Sequence, residues 1–107
     1  MMTSTTGEIA GFKITRNVGF VDAFILRGIG AAGNILGGLQ SLAGGKLSAF
    51  TDTIETTRKD AYSKMEERAG QMGANAIIGI RCTTQGYATE GAREFYFYGT
   101  AVLVEPQ

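Results

Sequence analysis

A chain of 107 residues carries ten Lys and Arg against ten Asp and Glu, no histidine and one cysteine, with 44% apolar and 19% charged residues. That length suits one folded domain, residues 1–107, near the small end of what a single core supports, and the even charge balance lacks the basic excess that marks nucleic-acid-binding surfaces. Without histidine there is no Ser-His or Cys-His nucleophile pair and no imidazole metal ligand, and without a second cysteine there is no internal disulfide.

The opening MMTSTTGEIAG has neither the basic start nor the apolar centre of a secretory signal, so a cytoplasmic protein is expected. Ile9 to Lys13 and Asn17 to Leu26 are rich in Ile, Val and Phe. They read as two strands or a hairpin, with Thr15-Arg16-Asn17 as the turn. Arg27 to Gly33, RGIGAAG, contains a literal G-x-G-x-x-G after an apolar run. A dinucleotide-binding loop would open a regular helix and reach a parallel strand with an acid some twenty residues on. Here the following segment to Gly45 is dense in glycine, with Ile35, Leu36, Leu39 and Leu42 at helix-like spacing, and Asp52 and Glu55 fall in the first turn of the next helix. The motif is therefore read as closely packed backbone, or as a mobile segment that a neighbouring subunit orders. Charged residues and glycines also interrupt the apolar stretch Val18 to Leu47, so no membrane span is expected.

From Thr51 the pattern is helical. Phe50, Ile54, Ala61, Met65, Ala69 and Met72 form one apolar stripe, while Arg58, Lys59, Lys64, Glu66 and Glu67 form a face for water. Thr51 or Asp52 is placed to cap the helix, and Gly73 to stop it in a left-handed conformation. Ala76 to Cys82 reads as a short buried strand, Gln85 to Arg93 as a connection and Glu94 to Glu105 as a final strand. In that last strand Phe95, Phe97, Gly99, Ala101 and Leu103 alternate with Tyr96, Tyr98, Thr100, Val102 and Val104. Neither set is polar, so both faces expect cover. One helix supplies one layer, and the second is expected from the glycine-rich segment or from another subunit.

Candidate chemistry is sparse. Cys82 is the one thiol for a metal, where a soft ion wants two to four Cys or His ligands, so a site would need several copies converging. Glu66 and Glu67 are adjacent on a helix and point apart, while Glu90 and Glu94 lie beside a connection. The ladder Phe95, Tyr96, Phe97, Tyr98 offers an interface, or a platform for a planar ligand between subunits.

Gly44-Gly45-Lys46 before Phe50, the amphipathic helix, Gly73-Ala74-Asn75-Ala76-Ile77-Ile78-Gly79-Ile80 and Tyr98-Gly99-Thr100-Ala101-Val102 together resemble the YbjQ-like family of small proteins, labelled for heavy-metal binding. The resemblance runs from about Ile9 to Val104. It implies an α+β subunit with a β-α-β-β core like that of a dodecin subunit, preceded by extra N-terminal strands and forming a pentameric ring, alone or paired as a decamer. The function expected is a non-enzymatic ring, with a divalent or soft metal ion or a small ligand between subunits and no nucleic-acid or membrane partner. The alternative is an interface enzyme of hydrolase type using carboxylates with Tyr or Lys.

Overall fold

A computed structural model describes residues 1–28, 47–87 and 92–107, with side chains placed at all of these except 47–50 and 87. The elements are β1 (Met2–Thr3), β2 (Phe12–Gly28), α1 (Leu47–Gln71), β3 (Ala76–Tyr87) and β4 (Ala92–Pro106). They form a mixed α+β unit, one helix on a four-stranded sheet of order β1-β3-β4-β2. β1 runs parallel to β3, and β4 is antiparallel to both β3 and β2. β4 thus lies between two long strands that are parallel to each other. Its central place pairs both of its edges, while its faces are covered by α1 on one side and, at one end only, by the N-terminal segment on the other.

One expected break is continuous strand, and a second gives part of its length to the strands on either side. Thr15-Arg16-Asn17 does not reverse the chain. β2 runs straight through it, paired with β4 from Phe12 opposite Pro106 to Gly28 opposite Ala92, and absorbs the polar residues as register shifts at Ile14/Arg16 and Asn17/Gly19. A fifteen-residue partner strand offers pairing along its whole length, and bulges accommodate the misfit at less cost than a turn would. Likewise Gln85 to Tyr87 belong to β3 and Ala92-Arg93 to β4. The glycine-rich segment from Ile29 to Lys46 and Glu90 lie outside the described residues.

α1 begins four residues before Thr51, so Thr51 and Asp52 lie within it and do not cap it. Its end matches expectation. Gly73 takes a φ of 92°, with Ala74 N–H donating to the Ala69 carbonyl at 3.1 Å and Gly73 N–H to the Gly70 carbonyl at 3.0 Å. That paired capping leaves Ala74 buried against Ala69 in the core. Ala61, Met65 and Ala69 are fully buried on the sheet with Val21, Ala23, Ile77, Phe95, Phe97 and Ala101. The two alanines let the helix sit close, and Tyr62 meets the Phe97 ring edge-on at 5.4 Å.

β3 carries a bulge. Between the pairs Ile78–Thr100 and Arg81–Tyr98, Gly79 and Ile80 stand against Gly99 alone. Gly79 has a φ of 63°, the left-handed turn that such a bulge takes at its first residue. The freed amides are satisfied by the N-terminal segment: Gly79 N–H donates to the Thr6 carbonyl at 2.8 Å and Ile80 N–H to that of Ser4 at 3.1 Å. The same segment lays Met2, Ile9 and Phe12 over Ala76, Val102 and Val104, on the sheet face away from α1.

Candidate functional site: the open half of the sheet

Register decides which residues share a face, because residues directly opposite one another in antiparallel strands point the same way. On the face away from α1 the rows across β2, β4 and β3 are Phe20-Thr100-Ile78, Asp22-Tyr98-Arg81, Phe24-Tyr96-Thr83 and Leu26-Glu94-Gln85. The N-terminal segment covers the first end of this face and stops there. Beyond it Phe20 is 62%, Phe24 50% and Leu26 54% exposed.

An aromatic cluster occupies the middle. The Tyr96 and Tyr98 rings stack at 5.4 Å and 28°, and Phe20 approaches Tyr98 at 6.4 Å. The Tyr96 hydroxyl donates to Asp22 Oδ2 at 2.9 Å. That bond to a carboxylate holds the Tyr96 phenol above its ordinary pKa, with desolvation and the charges of Asp22 and Tyr98 adding to the same end. Arg81 frames the patch, its Nη1 donating to the Thr5 carbonyl at 2.8 Å.

The aromatic quartet of the sequence is therefore divided. Phe95 and Phe97 are buried under α1, each 6% exposed, while Tyr96 and Tyr98 lie on the open face. Phe20, Phe24 and Leu26 were not singled out in the sequence. Their alternation with Val21, Ala23 and Ile25, which are buried or half-buried, is visible only once Asn17 to Gly28 is one strand.

Cys82 lies on the opposite face, in the row Ala23-Phe97-Cys82. It is free and exposed. Partial desolvation pushes its thiol above the ordinary pKa, against the pull of the nearby Arg58 charge, so the thiolate that would bind a metal is disfavoured at neutral pH. Among the described residues no three His, Cys, Asp or Glu side chains come together to hold a metal ion. Glu66 is half-buried, and Glu67 is exposed with its carboxylate 3.5 Å from the Gln71 amide. The described residues of one subunit thus do not fit a soft-metal centre. No described helix is long and apolar enough to cross a membrane.

Comparison with known proteins agrees with this architecture. A family model described as "Putative heavy-metal-binding" matches residues 1–105. The UPF0145 protein of Solibacter usitatus is 42% identical over 106 residues, covering 96% of this chain and 91% of the relative. That of Acinetobacter baylyi is 41% identical over 96 residues, covering 90% and 88%. A crystal structure of a protein of unknown function from Pediococcus pentosaceus, assigned to the DUF74 family, is similar in fold, with a TM-score of 0.67 over 98% of both chains at 19% identity. The family model spans nearly all of the sequence and the relatives align over about nine-tenths of it or more, so the chain belongs to the YbjQ-type family that contains the UPF0145 proteins.

Proposed function

We propose that this chain is a subunit of a cytoplasmic homo-oligomeric ring, joined through the open half of its sheet, and that it holds a small ligand or metal ion between copies without performing a reaction. The observation that carries this reading is the exposure of Phe20, Phe24 and Leu26 beside Tyr96 and Tyr98. With about 200 Å² for a large apolar side chain, those three leave roughly 300 Å² in water. At 25 cal/mol/Å² that is about 7 kcal/mol of burial not realised in the isolated subunit. A patch of that size is comparable to the largest on a typical monomer, and such patches are often functional.

Topology favours a ring over a two-fold dimer. Among the described residues, the outer edge of β2 and the outer edge of β3 beyond Arg81 have no strand beside them. The two edges differ, and their strands are parallel to each other. Pairing β2 of one copy with β3 of the next continues the sheet head to tail, and a head-to-tail contact closes as a ring where its rotation allows and runs on as a filament where it does not. Five copies, or two rings of five, is the number that the family resemblance implies. A metal ion in such a ring would need donors from more than one copy, since Cys82 is the only thiol that each supplies.

Multi-angle light scattering tests the reading. A single mass of at least four subunits is expected for the unaltered chain, and Phe20→Asp with Phe24→Asp lowers it while leaving the helical circular dichroism in place. A monomeric mass for the unaltered chain overturns the proposal.

A further inference from the structure

The face of the sheet under α1 ends in an arrangement that packing does not explain. Arg27 on β2 stands directly opposite Arg93 on β4, and Arg93 stands opposite Gly86 on β3. Two like charges paired across antiparallel strands repel, at a cost of about 0.2–1 kcal/mol. Among the described residues, only Arg27 of the two is paired with a carboxylate. Arg27 Nη1 donates to Asp60 Oδ2 at 2.9 Å and to Thr57 Oγ1 at 3.3 Å, and Thr57 is fully buried, its own hydroxyl donating to the Thr53 carbonyl at 2.7 Å.

Among the described residues Arg93 has no such partner. Its Nη1 lies 3.5 Å from Thr84 Oγ1, a long contact to a neutral oxygen, and that hydroxyl already donates to the Glu94 carbonyl. Its Nε is buried and has no hydrogen-bond partner. The guanidinium lies over Gly86, where a Cβ would come within 3.4 Å of Nη2 and 3.5 Å of Cζ, so the glycine leaves the space that the planar group occupies. Arg58 on α1 adds a third positive charge, near enough to Cys82 to act on its thiol. The neighbouring Glu94 belongs by alternation to the opposite face. Among the described residues, the carboxylate that meets this pair of arginines is Asp60, and it is bonded to Arg27.

We propose that Arg27 and Arg93 form a binding site for a small oxyanion, a phosphate- or carboxylate-bearing molecule, at the Gly86 end of the sheet. A planar guanidinium with unfilled donors is completed by two oxygens in its plane, and it prefers a charged acceptor to a neutral hydroxyl. An anion between the two arginines also removes their mutual repulsion. The surroundings repel a free cation, so the ligand of this corner is opposite in charge to the metal of the family description. The site lies within one subunit, and its test holds at any oligomeric mass.

Calorimetric titration of the full chain with inorganic phosphate, and separately with citrate, at ionic strength held constant with sodium chloride, distinguishes the two ligand chemistries. Saturable binding of at least one is expected. Arg93→Gln weakens it by about tenfold or more, the effect of losing a charged hydrogen-bonded pair. Arg93→Lys recovers little of the loss, since a point charge replaces the fork, while Lys13→Gln, at the far end of β2, leaves binding unchanged. Arg27→Gln gives a second reading should Arg93→Gln fail to fold. Absence of saturable heat with both anions overturns the proposal, as does unchanged affinity in a folded Arg93→Gln or Arg27→Gln.

Discussion

Replacing Gly99 by alanine tests the bulge that separates the covered end of the sheet from the open one. A Cβ built on Gly99 comes within 2.9 Å of Ile77 Cγ2, 2.9 Å of the Ile78 carbonyl oxygen and 3.3 Å of Ile80 Cγ1. Carbon atoms prefer about 3.5–4.0 Å. Ile77 is fully buried and has no room to retreat, and the Ile78 carbonyl belongs to a strand paired with β4 on one side and joined to the N-terminal segment on the other. Overpacking of this kind costs roughly 1–3 kcal/mol, and the rigid carbonyl places Gly99→Ala near the top of that range. The stiffer unfolded chain returns about 0.4–1 kcal/mol. A net loss of about 2 kcal/mol follows, equivalent to a fall in Tm of roughly 10 °C in a domain of this size. Urea and thermal unfolding followed by far-ultraviolet circular dichroism, at one fixed protein concentration, measure it. Gly99→Ala combined with Ile77→Ala removes the methyl contact and leaves the carbonyl contact, so the two changes recover only part of the loss as coupling energy. A Gly99→Ala protein within about 0.5 kcal/mol of the parent, no more than an ordinary surface change gives, refutes the account of the bulge.

Two further predictions rest on single side chains. Asn75 completes the sheet where the chain leaves α1: its Nδ2 donates to the Val104 carbonyl at 2.9 Å and its Oδ1 accepts from Val104 N–H at 2.8 Å. Asn75→Ala should cost about 1–3 kcal/mol in urea unfolding, and Asn75→Asp should cost more at neutral pH, because its carboxylate faces the Val104 carbonyl. Tyr96 should show itself in alkali. Its phenol is held protonated by Asp22 in the folded chain and ionises near pH 10 when unfolded, so its contribution to stability is whole below about pH 10 and is lost as pH rises through the folded value. Tyr96→Phe should flatten that alkaline fall, and an unchanged pH profile between pH 9 and 12 would count against the Asp22 bond.

The parts of the fold legible in the sequence were those governed by a local period. The stripe through Ala61, Met65 and Ala69 and the stop at Gly73 needed only helix spacing and a left-handed glycine, and these four residues act as their spacing indicates, whereas Met72, at the end of the expected stripe, is 39% exposed. The strand boundaries failed for a non-local reason. Thr15-Arg16-Asn17 and Gln85 to Tyr87 have turn-like or polar chemistry, yet a long partner, β4, holds both segments extended. Only pairing across some ninety positions, as of Phe12 with Pro106, decides this. The same dependence hid the candidate sites. Tyr96 and Tyr98 could be separated from Phe95 and Phe97 by alternation, but which face α1 covers is a tertiary fact. The pairing of Arg27 with Arg93 leaves no trace in either local sequence, since register alone makes them neighbours.

The central position of β4 also constrains how the protein is made. β2 and β3 leave the ribosome before the strand that joins them, and at 5–20 residues per second Phe12 waits about 5–20 s for Pro106. Until then Phe20, Phe24 and Leu26 on one side and Val21, Ala23 and Ile25 on the other lie on an unpaired strand, while α1 can form within its own turns. Sheet closure is therefore a late event of high contact order, and a nascent chain halted before Ala92 would present a chaperone with a helix and two bare apolar strands.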